Sequence, residues 1–313
     1  MNGGEFKPSI LEMIRAPFLF AIVVPLISGT IVSVKISNSF EPLGFVLVFI
    51  IGISLHITTN VYNDIYDTLQ GADNDKSKKS EFSGGSGVIL DHPDILSKMY
   101  MIARSGIIVG LSSTVLLMFF IDRTLWLPLW VLVTISIFLS KYYTAGPIKL
   151  AYRGMGELAV VIGFGPLAIL LSGFGQNIGF HPILLSISPI TGFGTLFIVW
   201  MGQMVDLPTD VKGGKKGLVA RLGFSRSKYG LMGVHFLALA NLLLVIVLFL
   251  NPGWPLFVVF VPHAYLIPKI WFELKGMKCH RSKIHYISKL NFKLYVSFSI
   301  LLMLGLGMDL LLM

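Results

Sequence analysis

Nine times along this chain a mostly apolar run of a length that can cross a bilayer as a helix recurs, and that recurrence limits the fold more than any other feature. The runs fall at about residues 17–34, 43–63, 100–121, 125–143, 154–174, 183–205, 230–250, 254–273 and 291–312. A spanning helix needs roughly 20 such residues. Inside lipid every backbone N–H and C=O must be satisfied within the protein, and a run of this length does so as a helix. The expectation is an all-α integral membrane protein of nine transmembrane helices surrounding a central cavity. No Ser/Gly-rich linker or long polar segment divides it, so residues 1–313 read as a single domain.

Composition supports this class. The chain is 54% hydrophobic and 13% charged, against about 25% charged in a soluble domain. Its net charge of +9 is confined to particular loops and implies no nucleic acid. A single cysteine, Cys279, excludes an internal disulfide or a multi-cysteine metal site and reads as an inert loop thiol. The first sixteen residues carry charges and no small-residue cleavage pattern, so no cleavable signal peptide is expected.

With nine spans, the N-terminus and the loops after the second, fourth, sixth and eighth helices share one side. Of the 25 Lys and Arg residues, only Lys35 and Arg123 fall on the other. Cytoplasmic loops are the ones enriched in Lys and Arg, which predicts a cytoplasmic N-terminus in a multi-pass protein of the cell membrane.

Two acidic clusters lie on that same side. NVYNDIYDTLQGADND, residues 60–75, follows the second apolar run, and DLPTDVKGGKKGLVARLG, residues 206–223, follows the sixth. If the second helix continues through its polar end, Asn60, Asn63, Asp64 and Asp67 recur at i, i+3, i+4 and i+7 and share a face. Asp206 and Asp210 form a second i, i+4 pair. Carboxylates at a membrane boundary need compensating charge, and oxygen donors in this number suit two Mg²⁺ ions that also bind phosphate oxygens. Asn63, Asp67, Asp206 and Asp210 are the leading candidate ligands, with Asn60, Asp64 and Asp73 behind them. Lys212, Lys215, Lys216 and Arg221 stand within the second cluster and could contact a diphosphate, while Gly213, Gly214 and Gly217 would let that loop fold over a substrate. The run GGSG at 84–87 could do the same in the first loop. No GxxxxGK[ST] pattern occurs, so ATP is not implied. Similar clusters after the second and sixth helices suggest a duplicated unit of about four helices. His56 and His263 lie within spans and read as packed or hydrogen-bonded residues.

At these residues the chain resembles the UbiA superfamily of intramembrane polyprenyl transferases, and the resemblance spans its whole length. Asn63, Asp64 and Asp67 match the first motif of that superfamily, with Gly71 where its last aspartate belongs and Asp73 two residues later. This NDxxDxxxGxD form, GGSGVI at 84–89, YTAGPIKLAYRGMGEL at 143–158 and the second cluster are similar to the branch that prenylates 1,4-dihydroxy-2-naphthoate towards menaquinone. The resemblance implies a Mg²⁺-dependent enzyme whose substrates are a polyprenyl diphosphate and an aromatic acceptor, with the active site on the cytoplasmic side and no protein partner. It implies catalytic roles for Asp64, Asp67, Asp206, Asp210 and Tyr143. Tyr143 and Thr144 match positions near the diphosphate, and Arg15 matches a frequent phosphate-binding arginine. Lys149 and Arg153 are candidate cations for the substrates' anionic groups, and Glu157 is expected to pair with Arg153. Other superfamily acceptors, a 4-hydroxybenzoate-type phenol or geranylgeranylglyceryl phosphate, stand as alternatives. A cation transporter is a third reading; it would place ionisable groups near the bilayer midplane, whereas here they gather at one interface.

Overall fold

The structure, a computed structural model, describes residues 8–72, 85–250, 252–277 and 281–312. Cys279, Asp73 and the first glycine of the GGSG run lie outside these residues. Among the described residues nine helices are long and apolar enough to cross a membrane: α1 Ala16–Ser37, α2 Pro42–Leu69, α3 Pro93–Met118, α4 Arg123–Tyr142, α5 Gly156–Gly175, α6 Pro182–Lys212, α7 Leu218–Leu248, α8 Trp254–Lys275 and α9 Lys283–Leu311.

Several helices outrun the apolar stretches that predict them. Hydropathy sees only the hydrocarbon-facing part of a helix, whereas helical backbone bonds continue into polar sequence wherever side chains find partners. So α2 runs on through Asn60, Asn63, Asp64 and Asp67, and α6 through Asp206 and Asp210. Both clusters begin as the last turns of helices, and in the second only residues 213–217 form a loop before α7 begins. α7 starts at Leu218, well before the predicted 230, and Gly223 (φ 68°) kinks it near that end.

The two most extensive helix interfaces are α2 with α3 and α6 with α7, the same arrangement after each acidic cluster. α1 packs on α5 and on α9, which joins the chain's first and last spans and closes the ring. Apolar side chains gain little by leaving lipid for a neighbouring helix, so close backbone approach and polar contacts decide these pairings. A Cβ at Gly106 of α3 would stand 2.3 Å from Thr58 Oγ1 of α2, and Thr58 Oγ1 donates to the Ala103 carbonyl at 3.1 Å. A Cβ at Gly44 would come within 1.8 Å of the Gly175 carbonyl oxygen, so α2 and α5 touch there by backbone. Phe119, Leu127, Phe236, Tyr265 and Phe272 face outward, as lipid-exposed residues should.

His263 is buried with Nδ1 at 3.3 Å from the Val259 carbonyl oxygen, the hydrogen-bonded role expected of it. On the face opposite the acidic clusters, Asp309 of α9 accepts from the Gly253 N–H at 2.7 Å and pairs with Lys35 of α1.

Candidate active site

The helical ends of α2 and α6 converge on one cavity. Asn60, Asn63 and Asp67 line it from α2, Gln203, Asp206 and Asp210 from α6, with Arg15, Tyr143 and Lys215 around them. Its volume is about 270 Å³, and away from the polar end its walls are apolar, formed by Leu55, Phe164, Leu167, Leu171, Ile198 and Val199. His56 belongs to this wall, edge-on to Phe164 with ring centroids 4.9 Å apart. The i, i+4, i+7 and i+11 spacing of His56, Asn60, Asn63 and Asp67 keeps them on one helical face.

Lys215 ties the two clusters together. Its Nζ lies 2.8 Å from Asp67 Oδ2 and 3.0 Å from Asp210 Oδ1. Those carboxylate oxygens are therefore at most about 6 Å apart, the two contacts taken end to end, a gap that a cation and phosphate oxygens can fill. Tyr152, from the loop after α4, donates its hydroxyl to Asp67 Oδ1 at 2.7 Å, and the Lys215 ammonium stands 5.7 Å from the centre of its ring. Burial by itself would lower the Lys215 ammonium, but Asp67 and Asp210 together hold it well above the usual lysine range. Burial pushes the Tyr143 and Tyr152 phenols up, with Glu157 adding to the first and Asp67 to the second, so both remain neutral hydroxyls near neutral pH.

Not every expected residue reaches the cavity. Asp64 stands outside its lining and accepts from Ser86, both from the backbone N–H at 2.7 Å and from the hydroxyl. A face holding Asn60, Asn63 and Asp67 is narrower than the whole polar stripe, and one further residue turns Asp64 by about 100° from Asn63. There it anchors the loop leading to α3. Thr144 is buried and donates to the Tyr62 carbonyl at 3.3 Å, linking α2 to the end of α4. Lys149 and Arg153 line a separate basin with Lys216 and Arg221, and Lys212 is exposed and lines neither. Arg153 does not pair with Glu157: it donates to the Pro147 carbonyl at 3.0 Å, whereas Glu157 accepts from the Leu218 N–H at 2.8 Å.

Two residues of the site were not predicted, Gln203 on the cavity wall and Tyr152 against Asp67. Gln203 is three residues before Asp206 and seven before Asp210, so helical spacing alone could have found it. Tyr152 has no such signal, because its contact with Asp67 crosses 85 positions of sequence.

The donor set suits a hard cation. Asn60, Asn63, Asp67, Asp206 and Asp210 are all oxygen donors on one cavity, and Mg²⁺ prefers oxygen and leaves positions for phosphate and water. No group of three or more His, Cys, Asp or Glu side chains is close enough to hold an ion unaided among the described residues. An ion here would draw on donors from both helices and from a substrate.

Residues 22–292 match the UbiA prenyltransferase family. The chain belongs to that family. Among curated proteins, this UbiA-family chain is 27% identical over 214 residues to a 2-carboxy-1,4-naphthoquinone phytyltransferase of Synechocystis, covering 68% of the chain and 66% of that protein. It is 27% identical over 206 residues to a 1,4-dihydroxy-2-naphthoate octaprenyltransferase of Mycobacterium tuberculosis, covering 66% of each. The chain thus spans just under two thirds of the length of these relatives. A UbiA homolog from Archaeoglobus fulgidus, solved bound to DMAPP and Mg²⁺, shares the fold with a TM-score of 0.63, 16% identity and coverage of 93% of this chain and 99% of that one.

Proposed function

We propose that this UbiA-family protein transfers a polyprenyl group from its diphosphate to 1,4-dihydroxy-2-naphthoate, with loss of the acceptor's carboxylate, on the route to menaquinone. The observation that carries this reading is the joining of two acidic helix ends by one lysine at the polar mouth of an apolar cavity. The naphthoate acceptor draws support from the names of the curated relatives and from the GxD ending of the first motif, Gly71 to Asp73.

In this reading Asn63, Asp67, Asp206 and Asp210 hold Mg²⁺, two ions by the number of donors, with Asn60 beside them. Bound there, Mg²⁺ would supply positive charge against the diphosphate leaving group. Arg15 and Lys215 present further cations from the cavity wall, and Lys215 exchanges its carboxylate contacts for phosphate oxygens. The allylic C–O bond breaks with its electron pair leaving on the diphosphate. The apolar wall excludes water, so the allylic cation meets the ring rather than a hydroxide. A new C–C bond forms at the free carbon of the hydroxylated ring, that carbon gives up its proton, and the carboxylate departs as CO₂ with a proton taking its place. Tyr143 offers a ring face to the cation at the polar end. Lys149, Arg153, Lys216 and Arg221 make the neighbouring basin an attractive approach for anionic substrates.

The distribution of Lys and Arg supports a cytoplasmic N-terminus and an active site on the cytoplasmic side of the cell membrane. The test is competition between 1,4-dihydroxy-2-naphthoate, 4-hydroxybenzoate and geranylgeranylglyceryl phosphate for one prenyl diphosphate, with purified protein and Mg²⁺. The expected result is prenylation of the naphthoate. Preferential prenylation of either other acceptor would reject the menaquinone assignment.

A further inference from the structure

Four cationic side chains share the basin beside the cavity. Lys149 and Arg153 come from the loop after α4, Lys216 from the loop after α6, and Arg221 from the start of α7. Gln70, Tyr152 and two glycines complete the wall, so among the described residues no aliphatic side chain lines it. Backbone carbonyls hold both guanidinium groups in place. Arg221 donates from Nε to the Lys216 carbonyl at 2.7 Å and from Nη2 to the Arg153 carbonyl at 2.9 Å. Arg153 Nη2 donates to the Pro147 carbonyl at 3.0 Å. Gly154, at φ 82°, lets the two loops close on Arg221: a Cβ there would stand 2.5 Å from Arg221 Nη2 and 2.9 Å from the Lys216 carbonyl oxygen. A guanidinium carries five N–H groups, so these bonds to neutral carbonyls leave most of the donors, and all of the charge, uncompensated. Among the described residues no carboxylate forms an ion pair with any of the four cations.

Tyr152 stands between this basin and the cavity. Its hydroxyl donates to Asp67 of the cavity wall, while the residue itself lines the basin. Lys215 Nζ, on the cavity side, is 5.7 Å from the centre of the Tyr152 ring, and Lys149 Nζ, on the basin side, is 5.8 Å from it. The two ammonium groups are therefore at most about 11.5 Å apart, the two distances taken end to end. Lys215 and Lys216, adjacent in sequence, line the cavity and the basin respectively. With no substrate present Lys215 pairs with Asp67 and Asp210. Once the allylic C–O bond has broken, those carboxylates compete with the diphosphate for Lys215, and the next cations lie across Tyr152. The walls of the basin select its occupant. A prenyl tail or an aromatic ring needs apolar walls, whereas this basin offers charge and N–H donors to a small polyanion. We propose that the basin binds the inorganic diphosphate released by the reaction, as an exit site distinct from the cavity. This rests on the function proposed above only in that diphosphate is the leaving group, whichever acceptor is prenylated. The product then passes from one set of cations to another instead of leaving the cavity unassisted.

The experiment titrates inorganic diphosphate calorimetrically into the purified full-length protein. The cavity is first filled with Mg²⁺ and a non-reacting thiolodiphosphate analogue of the prenyl donor. The wild type should bind one further diphosphate per chain. The double variant Lys149→Gln with Lys216→Gln removes two charges and leaves the backbone clamp of Arg153 and Arg221 intact. It should bind that diphosphate about tenfold or more weakly, while still taking up one analogue per chain. No second diphosphate in the wild type, or equal affinity in wild type and variant, overturns the exit site. Inorganic phosphate, which reaches fewer of the four cations, should bind about tenfold or more weakly than diphosphate; equal affinity overturns the diphosphate assignment. Nanodiscs of phosphatidylcholine and of phosphatidylglycerol should give the same diphosphate affinity. Loss of binding in the anionic discs gives the basin to lipid headgroups and overturns the proposal. If the double variant does not fold, the wild-type stoichiometry with the cavity filled still decides. Failure of the analogue itself to bind counts against the transferase reading, and the choice of acceptor does not enter this measurement.

Discussion

Lys215, from the loop after α6, forms a 2.8 Å ion pair with Asp67 at the far end of α2, across 148 positions of sequence. It also touches Asp210, so one ammonium neutralises a carboxylate from each acidic cluster. A buried carboxylate pair without such a partner would repel and stay poorly solvated. Lys215→Met should raise the KM for the prenyl diphosphate about tenfold or more, the loss of one charge-assisted contact of roughly 1.5–3 kcal/mol. With no substrate present it should leave the two carboxylates to the metal alone, so Mg²⁺ should raise the variant's melting temperature more than the wild type's. A smaller Mg²⁺ shift in the variant would refute Lys215 as the resident counter-charge.

Asp67→Ala and Asp206→Ala should each lower turnover at least about 100-fold at saturating Mg²⁺, since a lost metal ligand removes several kcal/mol of leaving-group stabilisation. Both proteins should remain folded in the membrane, because the change also removes a charge from a crowded site. Near-normal rates in both would refute the assigned ligand roles.

Tyr152→Phe deletes the hydroxyl that Asp67 accepts from and nothing else at the site. A hydroxyl donating to a charged carboxylate is worth about 1.5 kcal/mol or more, so turnover should fall by roughly tenfold, less than in Asp67→Ala. A loss as complete as that of Asp67→Ala would place Tyr152 in the chemistry itself.

On the opposite face, Asp309 holds Lys35 and the Gly253 N–H, with the two side chains 1% and 13% exposed. Removing one member of a buried pair strands the other, at a cost of about 3 kcal/mol or more. Asp309→Ala should therefore lower the melting temperature in detergent well below that of Asp309→Asn, which keeps an acceptor for Gly253. Substrate KM values should be unchanged, because this clasp lies across the membrane from the cavity. Equal stability of both variants and the wild type would refute it.

The orientation is testable directly. Reporter fusions at Lys35 and at Lys215 should appear on opposite sides of the membrane, with Lys215 cytoplasmic. Finding both on one side would break the nine-span topology.

Length and hydropathy of the apolar runs were enough to determine the class, the number of spans among the described residues and the shared side of both acidic clusters. These depend on local chemistry, because lipid forces each run to satisfy its own backbone. Helical periodicity also placed Asn60, Asn63 and Asp67 on one face, and Asp206 with Asp210 on another. It could not tell that Asp64, counted in the same stripe, turns to Ser86, or that Lys149 and Arg153 line a basin of their own. Nor could it foresee that Glu157 would reach Leu218 rather than Arg153, or that Tyr152 and Lys215 would meet Asp67. In lipid, helices of equal apolarity are paired by small residues and a few polar contacts rather than by their hydrophobic pattern. Only once α2, α5, α6 and the loops between them are packed does it become fixed which side chains share the cavity.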